Sequence, residues 1–103
     1  MAIEEKRILD ALRVTLEERY PQYFSLTGYA ENALCMEKVD EAGEEWAVYV
    51  GDHGLKKSVS RCKTLLAACV VMMQKIAING DTKEMEARFL ENLCEVPRYN
   101  EVA

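Results

Sequence analysis

Residues 45–54 read EWAVYVGDHG, and this stretch decides the architecture. Its first part alternates with the period of a strand. Trp46, Val48 and Val50 fall on one face, which should meet the core. Ala47 and Tyr49 fall on the other, toward solvent or a partner. The run stops at Gly51-Asp52-His53-Gly54, where glycines can supply the backbone angles of a turn. His53 is the single histidine of the chain, and it stands beside a carboxylate.

Working outward, residues 33–39 (ALCMEKV) make a second strand. It joins strand 45–51 through Asp40-Glu41-Ala42-Gly43-Glu44, a length and composition suited to a hairpin loop. Residues 22–30 (QYFSLTGYA) read as a further strand with a bulge or bend at Gly28. Downstream of the turn, LKKSVS (55–60) is a short fourth strand or a loop.

Helices flank this β region. In residues 3–20, Ile8, Leu9, Leu12, Leu16 and Tyr20 recur at helical spacing, acids crowd the first turn, and Pro21 forbids continuation. Residues 60–78 carry Cys62, Leu65, Leu66, Cys69, Met72, Met73 and Ile76 on one stripe. Ala67, Ala68, Val70 and Val71 fill much of the rest, so this helix should be the most buried element, ending at Asn79-Gly80. Asp81-Thr-Lys-Glu84 has capping-box spacing for a last helix, 81–96, with Met85, Phe89, Leu93 and Val96 inward and Pro97 closing it. The expected fold is therefore a single α+β domain over residues 1–103. It has an N-terminal helix, a three- to four-stranded antiparallel sheet, and two C-terminal helices on one sheet face.

The 103 residues suit one domain with one core and leave no room for a large enclosed cofactor. Cys35, Cys62, Cys69 and Cys94 lie among apolar residues without Cys-x-x-Cys spacing, which reads as buried free thiols. No signal peptide is visible, and the longest apolar run, residues 65–73, falls short of the roughly 20 residues of a membrane span. A cytoplasmic protein is expected.

The net charge of −5 is uneven. Residues 1–52 carry 12 acids and 5 bases, whereas residues 53–80 carry 5 bases and no acid. The acidic first half argues against nucleic acid and favours a basic partner, a protein. Residues 37–45 concentrate it, with five acids and one lysine. A charged loop keeps a sheet edge soluble. It can also steer a basic partner, with Trp46 or Tyr49 as aromatic anchors.

No catalytic constellation is nominated. Asp52-His53 could orient an imidazole, but adjacent strand residues point to opposite faces and no nucleophile accompanies them. One histidine, scattered cysteines and an acidic loop without regular offsets nominate no metal site, and Gly51–Gly54 matches no phosphate-binding fingerprint. The expected partner-binding residues are Asp40, Glu41, Glu44, Glu45, Tyr49, Asp52 and His53, with no cofactor and no membrane contact.

The combination of Tyr29-Ala-Glu31-Asn32-Ala33-Leu34-Cys35-Met36-Glu37-Lys38 with Trp46-Ala-Val48-Tyr49-Val50-Gly51 and a polar, Gly-terminated turn resembles immunity proteins of bacterial polymorphic toxin systems. The resemblance spans about residues 20–78, and where that family's turn carries Glu-Arg-Gly this chain has Asp52-His53-Gly54. It implies a non-enzymatic inhibitor that binds a folded cognate toxin domain in the producer's cytoplasm, with the turn as a recognition edge. The alternative is an acidic secretion chaperone or other small adaptor, a homodimer that uses the apolar helix 60–78.

Overall fold

The computed structural model describes residues 2–20, 23–77 and 80–102, and the side chains of residues 5–94 within them. The described elements run α1 (Ala2–Arg19), β1 (Phe24–Ser25), β2 (Ala33–Lys38), β3 (Trp46–Asp52), β4 (Leu55–Cys62), α2 (Leu65–Ile76) and α3 (Thr82–Val102). The expected α+β architecture is present. Pro21, Gln22, Ile78 and Asn79, which figured in the expected element ends, lie outside the described residues, and so does the side chain of Val96.

The sheet order is β1-β2-β3-β4. β2–β3 and β3–β4 are antiparallel hairpins, but β1 pairs parallel to β2, so the sheet is mixed. The strand expected over 22–30 shortens to two residues, because Leu26–Asn32 must cross over to bring the chain back beside β1 in the same direction. The LKKSVS segment is a full strand of eight residues. It takes Arg61 and Cys62 from the helix expected to start at 60. That helix begins instead at Leu65, where the Thr64 side chain caps it by accepting the Ala67 N–H.

The helix-side face of the sheet carries Phe24, Leu34, Met36, Trp46, Val48 and Cys62 into the main core. There they meet Ala11, Leu12 and Leu16 of α1, Leu65, Ala68, Cys69, Met72, Met73 and Ile76 of α2, and Met85 and Phe89 of α3. α2 is apolar but not enclosed. Its outer face leaves Leu66 49 % and Val70 36 % exposed, against the expectation of burial all round. Cys35, Cys62 and Cys69 are buried free thiols, whereas the free thiol of Cys94 is exposed.

α1 and α3 lie antiparallel, tied at successive levels by polar contacts. Asn92 donates to the buried Thr15 hydroxyl at 2.8 Å, which in turn donates to the Ala11 carbonyl at 2.7 Å. Arg88 pairs with Glu18 at 2.9 Å, and Arg19 pairs with Asp81. Asp81 Oδ2 therefore engages α1, while Oδ1 accepts no N–H of the expected capping box. α3 continues to Val102, past Pro97. Pro97 therefore does not close the helix, against the expectation that it would.

The opposite face of the sheet holds a second, small core of Ala33, Cys35, Ala47 and Tyr49, with Ala30 packed on it. The cover is the β1–β2 crossover. Gly28 and Asn32 take left-handed angles (φ 116° and 59°) that fold it back over the sheet. Cys35 accepts the Ala30 N–H at 3.3 Å. Gly51 is where the crossover and β3 touch. A Cβ there would lie 2.1 Å from the Ala30 carbonyl oxygen.

Candidate functional site

The expected partner-binding residues separate into two groups at opposite ends of β3. Seven strand residues span roughly 20 Å at about 3.3 Å each. Asp40, Glu41, Glu44 and Glu45 sit in the β2–β3 loop, while Asp52 and His53 sit at the β3–β4 end. Tyr49, between them, is fully buried and offers no surface anchor. Its face was read correctly as the one opposite Val48, but the crossover covers that face. Trp46 is also buried, on the helix side, but Val50, expected on the same core face, is 38 % exposed, past the β3–β4 register shift toward the turn.

The β2–β3 loop is built locally. Asp40 accepts the Gly43 N–H on its carbonyl (3.0 Å) and the Ala42 N–H on its carboxylate (3.3 Å), while the Val39 N–H donates to the Glu45 carbonyl (2.9 Å). These bonds hold Glu41 and Glu44 outward. Neither forms an ion pair among the described residues, whereas Glu45 is held by Arg61 at 2.9 Å.

Beside this loop lie two adjoining open grooves. One, of about 730 Å³, is lined by Glu5, Leu26, Thr27, Gly28, Glu37, Lys38, Glu41 and Trp46. The other, of about 600 Å³, shares Glu5, Lys38, Glu41 and Trp46 and adds Glu44, Thr64, Leu65 and Leu66. Four carboxylates thus line the two grooves; Lys38 engages Glu5 at 3.1 Å and Lys56 engages Glu37, and Glu41 and Glu44 keep their charge unpaired among the described residues. Glu37 lies at the boundary with the second core. Lys56 donates to it at 2.6 Å and the Tyr49 hydroxyl at 2.8 Å. The hydrogen bond from Lys56, reinforced by the one from Tyr49, holds the Glu37 carboxyl below the ordinary glutamate value against the opposing effect of burial. Burial, and then the bond to Glu37, pushes the Tyr49 hydroxyl upward. Glu5 stands outside the acidic cluster 37–45, and Glu37, within that cluster, was not among the expected partner-binding residues. Only the meeting of α1, the crossover and the β2–β3 loop brings them beside Glu41.

The other end is a two-residue hairpin. His53 and Gly54 both take left-handed angles (φ 53° and 75°), as a primed turn between twisted strands requires. Its backbone donors are claimed from within. The Glu31 carboxylate accepts His53 N–H at 2.6 Å and Gly54 N–H at 3.1 Å, and Gly54 N–H also reaches the Tyr29 hydroxyl at 2.7 Å. Tyr29 donates to Glu31. That hydroxyl bond first, then the two N–H donors, lowers the Glu31 pKa. The turn is therefore latched to the crossover rather than left open to a partner's acceptors.

The side chains of Asp52 and His53 meet, contrary to the strand argument, because His53 has left the strand for the turn. Its Nδ1 lies 2.7 Å from Asp52 Oδ1, and Lys57 binds Asp52 Oδ2 at 2.9 Å. The pairing with Lys57 is the main cause that lowers the Asp52 pKa. The imidazole itself is 85 % exposed.

Comparison with family models, with curated proteins and with solved structures returns no match. No described helix is long and apolar enough to cross a membrane.

Proposed function

We infer that this protein is a non-enzymatic binding module that docks a folded, basic protein partner, in the manner of an immunity protein with its toxin. The observation that carries this reading is the acidic groove at the β2–β3 end. Glu41 and Glu44 project from a loop fixed by its own hydrogen bonds, and Glu5 and Glu37 line the groove beside it. An excess of carboxylates in a concave surface attracts cations at a distance and selects against acidic surfaces. A lysine or arginine entering there would meet the carboxylates of Glu41 and Glu44, which no ion pair occupies among the described residues.

The experiment is co-purification with the protein encoded by the adjacent gene, followed by assay of that protein's folded domain with and without this chain. A stoichiometric complex with loss of the domain's activity supports the reading. No complex with the folded domain sinks it.

One observation favours a second reading. Leu66 and Val70 are exposed on the outer face of an otherwise apolar helix. A dimeric secretion chaperone would bury them in its interface and grip an unfolded client segment. Light scattering separates the two, since a chaperone dimerises alone while the immunity reading needs only a monomer.

A further inference from the structure

We propose that Glu31, Asp52 and His53 form a three-ligand site for a divalent cation of the zinc type at the tip of the β3–β4 hairpin. The inference goes beyond the partner-binding reading and does not rest on it. One ligand atom from each of the three lies within 4.8 Å of the others, near enough for rotation of the exposed imidazole to draw them onto the bonds of about 2.0–2.2 Å that such a cation makes.

Accounting for lone pairs shows that the ligand atoms are spare. Glu31 Oε1 already accepts from Tyr29 and Gly54, but Oε2 accepts only from His53 N–H and keeps a second lone pair. Lys57 occupies Asp52 Oδ2, leaving Oδ1 facing His53 Nδ1. A cation placed among Oε2, Oδ1 and Nδ1 therefore replaces one hydrogen bond, that between Asp52 and His53. Binding frees the Nδ1 lone pair for the cation, its proton passing to solvent. Neither the turn nor the Lys57 contact need break.

The supporting contacts are those that orient ligands at built sites. Backbone N–H groups and a tyrosine hydroxyl fix the Glu31 carboxylate, and an ammonium fixes Asp52. His53 is held in place by its left-handed backbone and by Glu31 itself. The two carboxylates and Lys57 sum to one negative charge before binding, which a dication reverses. One imidazole with two carboxylates, and room for water on the exposed side, suits zinc better than calcium, which takes an all-oxygen shell.

The test is calorimetric titration of the reduced protein with Zn²⁺, repeated with Co²⁺ under optical detection. Wild type should take up one Zn²⁺ per chain. His53→Asn, which retains a residue suited to the left-handed turn, and Asp52→Asn should each weaken binding by roughly 10–100-fold or more, the range lost even when outer-shell partners are removed. Cys94→Ser should bind as wild type does, and the Co²⁺ form should show no thiolate charge-transfer band. Absence of one-to-one binding overturns the proposal. So does equal affinity in His53→Asn, or loss of binding in Cys94→Ser.

Discussion

The Glu31 carboxylate accepts the His53 backbone N–H at 2.6 Å, across 22 residues of sequence, and so fastens the β3–β4 turn to the crossover that covers Tyr49. This contact connects features that look separate in the chain: a buried tyrosine on a supposedly open sheet face, a glycine that admits no side chain, and a histidine at positive φ. The crossover lies over the sheet only because Gly51 lets it approach, and it then supplies the acceptor that the turn's donors need.

Gly51→Ala should accordingly be among the most damaging small substitutions. The added methyl would sit 2.1 Å from the Ala30 carbonyl oxygen, backbone that cannot step aside like a side chain. We expect a loss at or above the roughly 1–3 kcal/mol typical of overpacking. Gly54→Ala has open space around it and bears only the left-handed penalty of about 1–2 kcal/mol. Urea denaturation of both variants measures the difference, and a smaller loss at Gly51 than at Gly54 contradicts the described approach.

The helix α2 gives a second contrast. Met73 is fully buried, so Met73→Ala should cost about 2–5 kcal/mol. Leu66 is half exposed, and Leu66→Ala should stay within about 1 kcal/mol. Equal losses in chemical denaturation would show that the outer face of α2 is covered after all, as a dimer would cover it.

Stability should fall at both ends of the pH scale for reasons that converge on one contact. Glu37 is held below its ordinary value of 4.5 by Lys56 and Tyr49, so its contribution is complete above that value and fades as pH falls through the lowered native pKa. Tyr49 is shifted above its ordinary value of 10.0 by burial and by Glu37. Its contribution is complete below that value and is lost as pH rises through the raised native pKa. Thermal midpoints across pH for wild type and Tyr49→Phe check this. The variant should lose part of the alkaline fall, and superimposable alkaline limbs would contradict it.

Much of the fold was legible because it is written in periodicity. The stripe Leu12–Leu16, the alternation Trp46–Val48 and the run Met72–Met73 each match an observed buried face. What sequence could not reveal depends on contacts distant along the chain. β1 has too few residues to announce itself, and its parallel pairing depends on a crossover with no regular structure of its own. Ser58, at φ 55°, lies in a bulge where two β4 residues oppose Tyr49, and nothing in Lys57-Ser58-Val59 signals it. The candidate site follows the same division. Glu37, Asp40, Glu41, Glu44 and Glu45 were visible as a charge cluster, but Glu5 and Glu31 joined the two ends only through tertiary packing. A two-residue His53-Gly54 loop between alternating strands is itself a primed-turn signal, and it could have directed the search to an acceptor.

The acidic groove yields the most direct test. Glu41 and Glu44 have no ion-pair partner among the described residues, so Glu41→Lys with Glu44→Lys should leave the thermal midpoint near that of wild type. Association and dissociation rates with the folded domain encoded by the adjacent gene should be measured for wild type and this variant at low and physiological salt. If the groove steers a basic partner, the variant associates roughly tenfold or more slowly at low salt and loses most of its salt dependence. Equal association rates at both salt concentrations would contradict the central claim that this acidic end is where the partner docks.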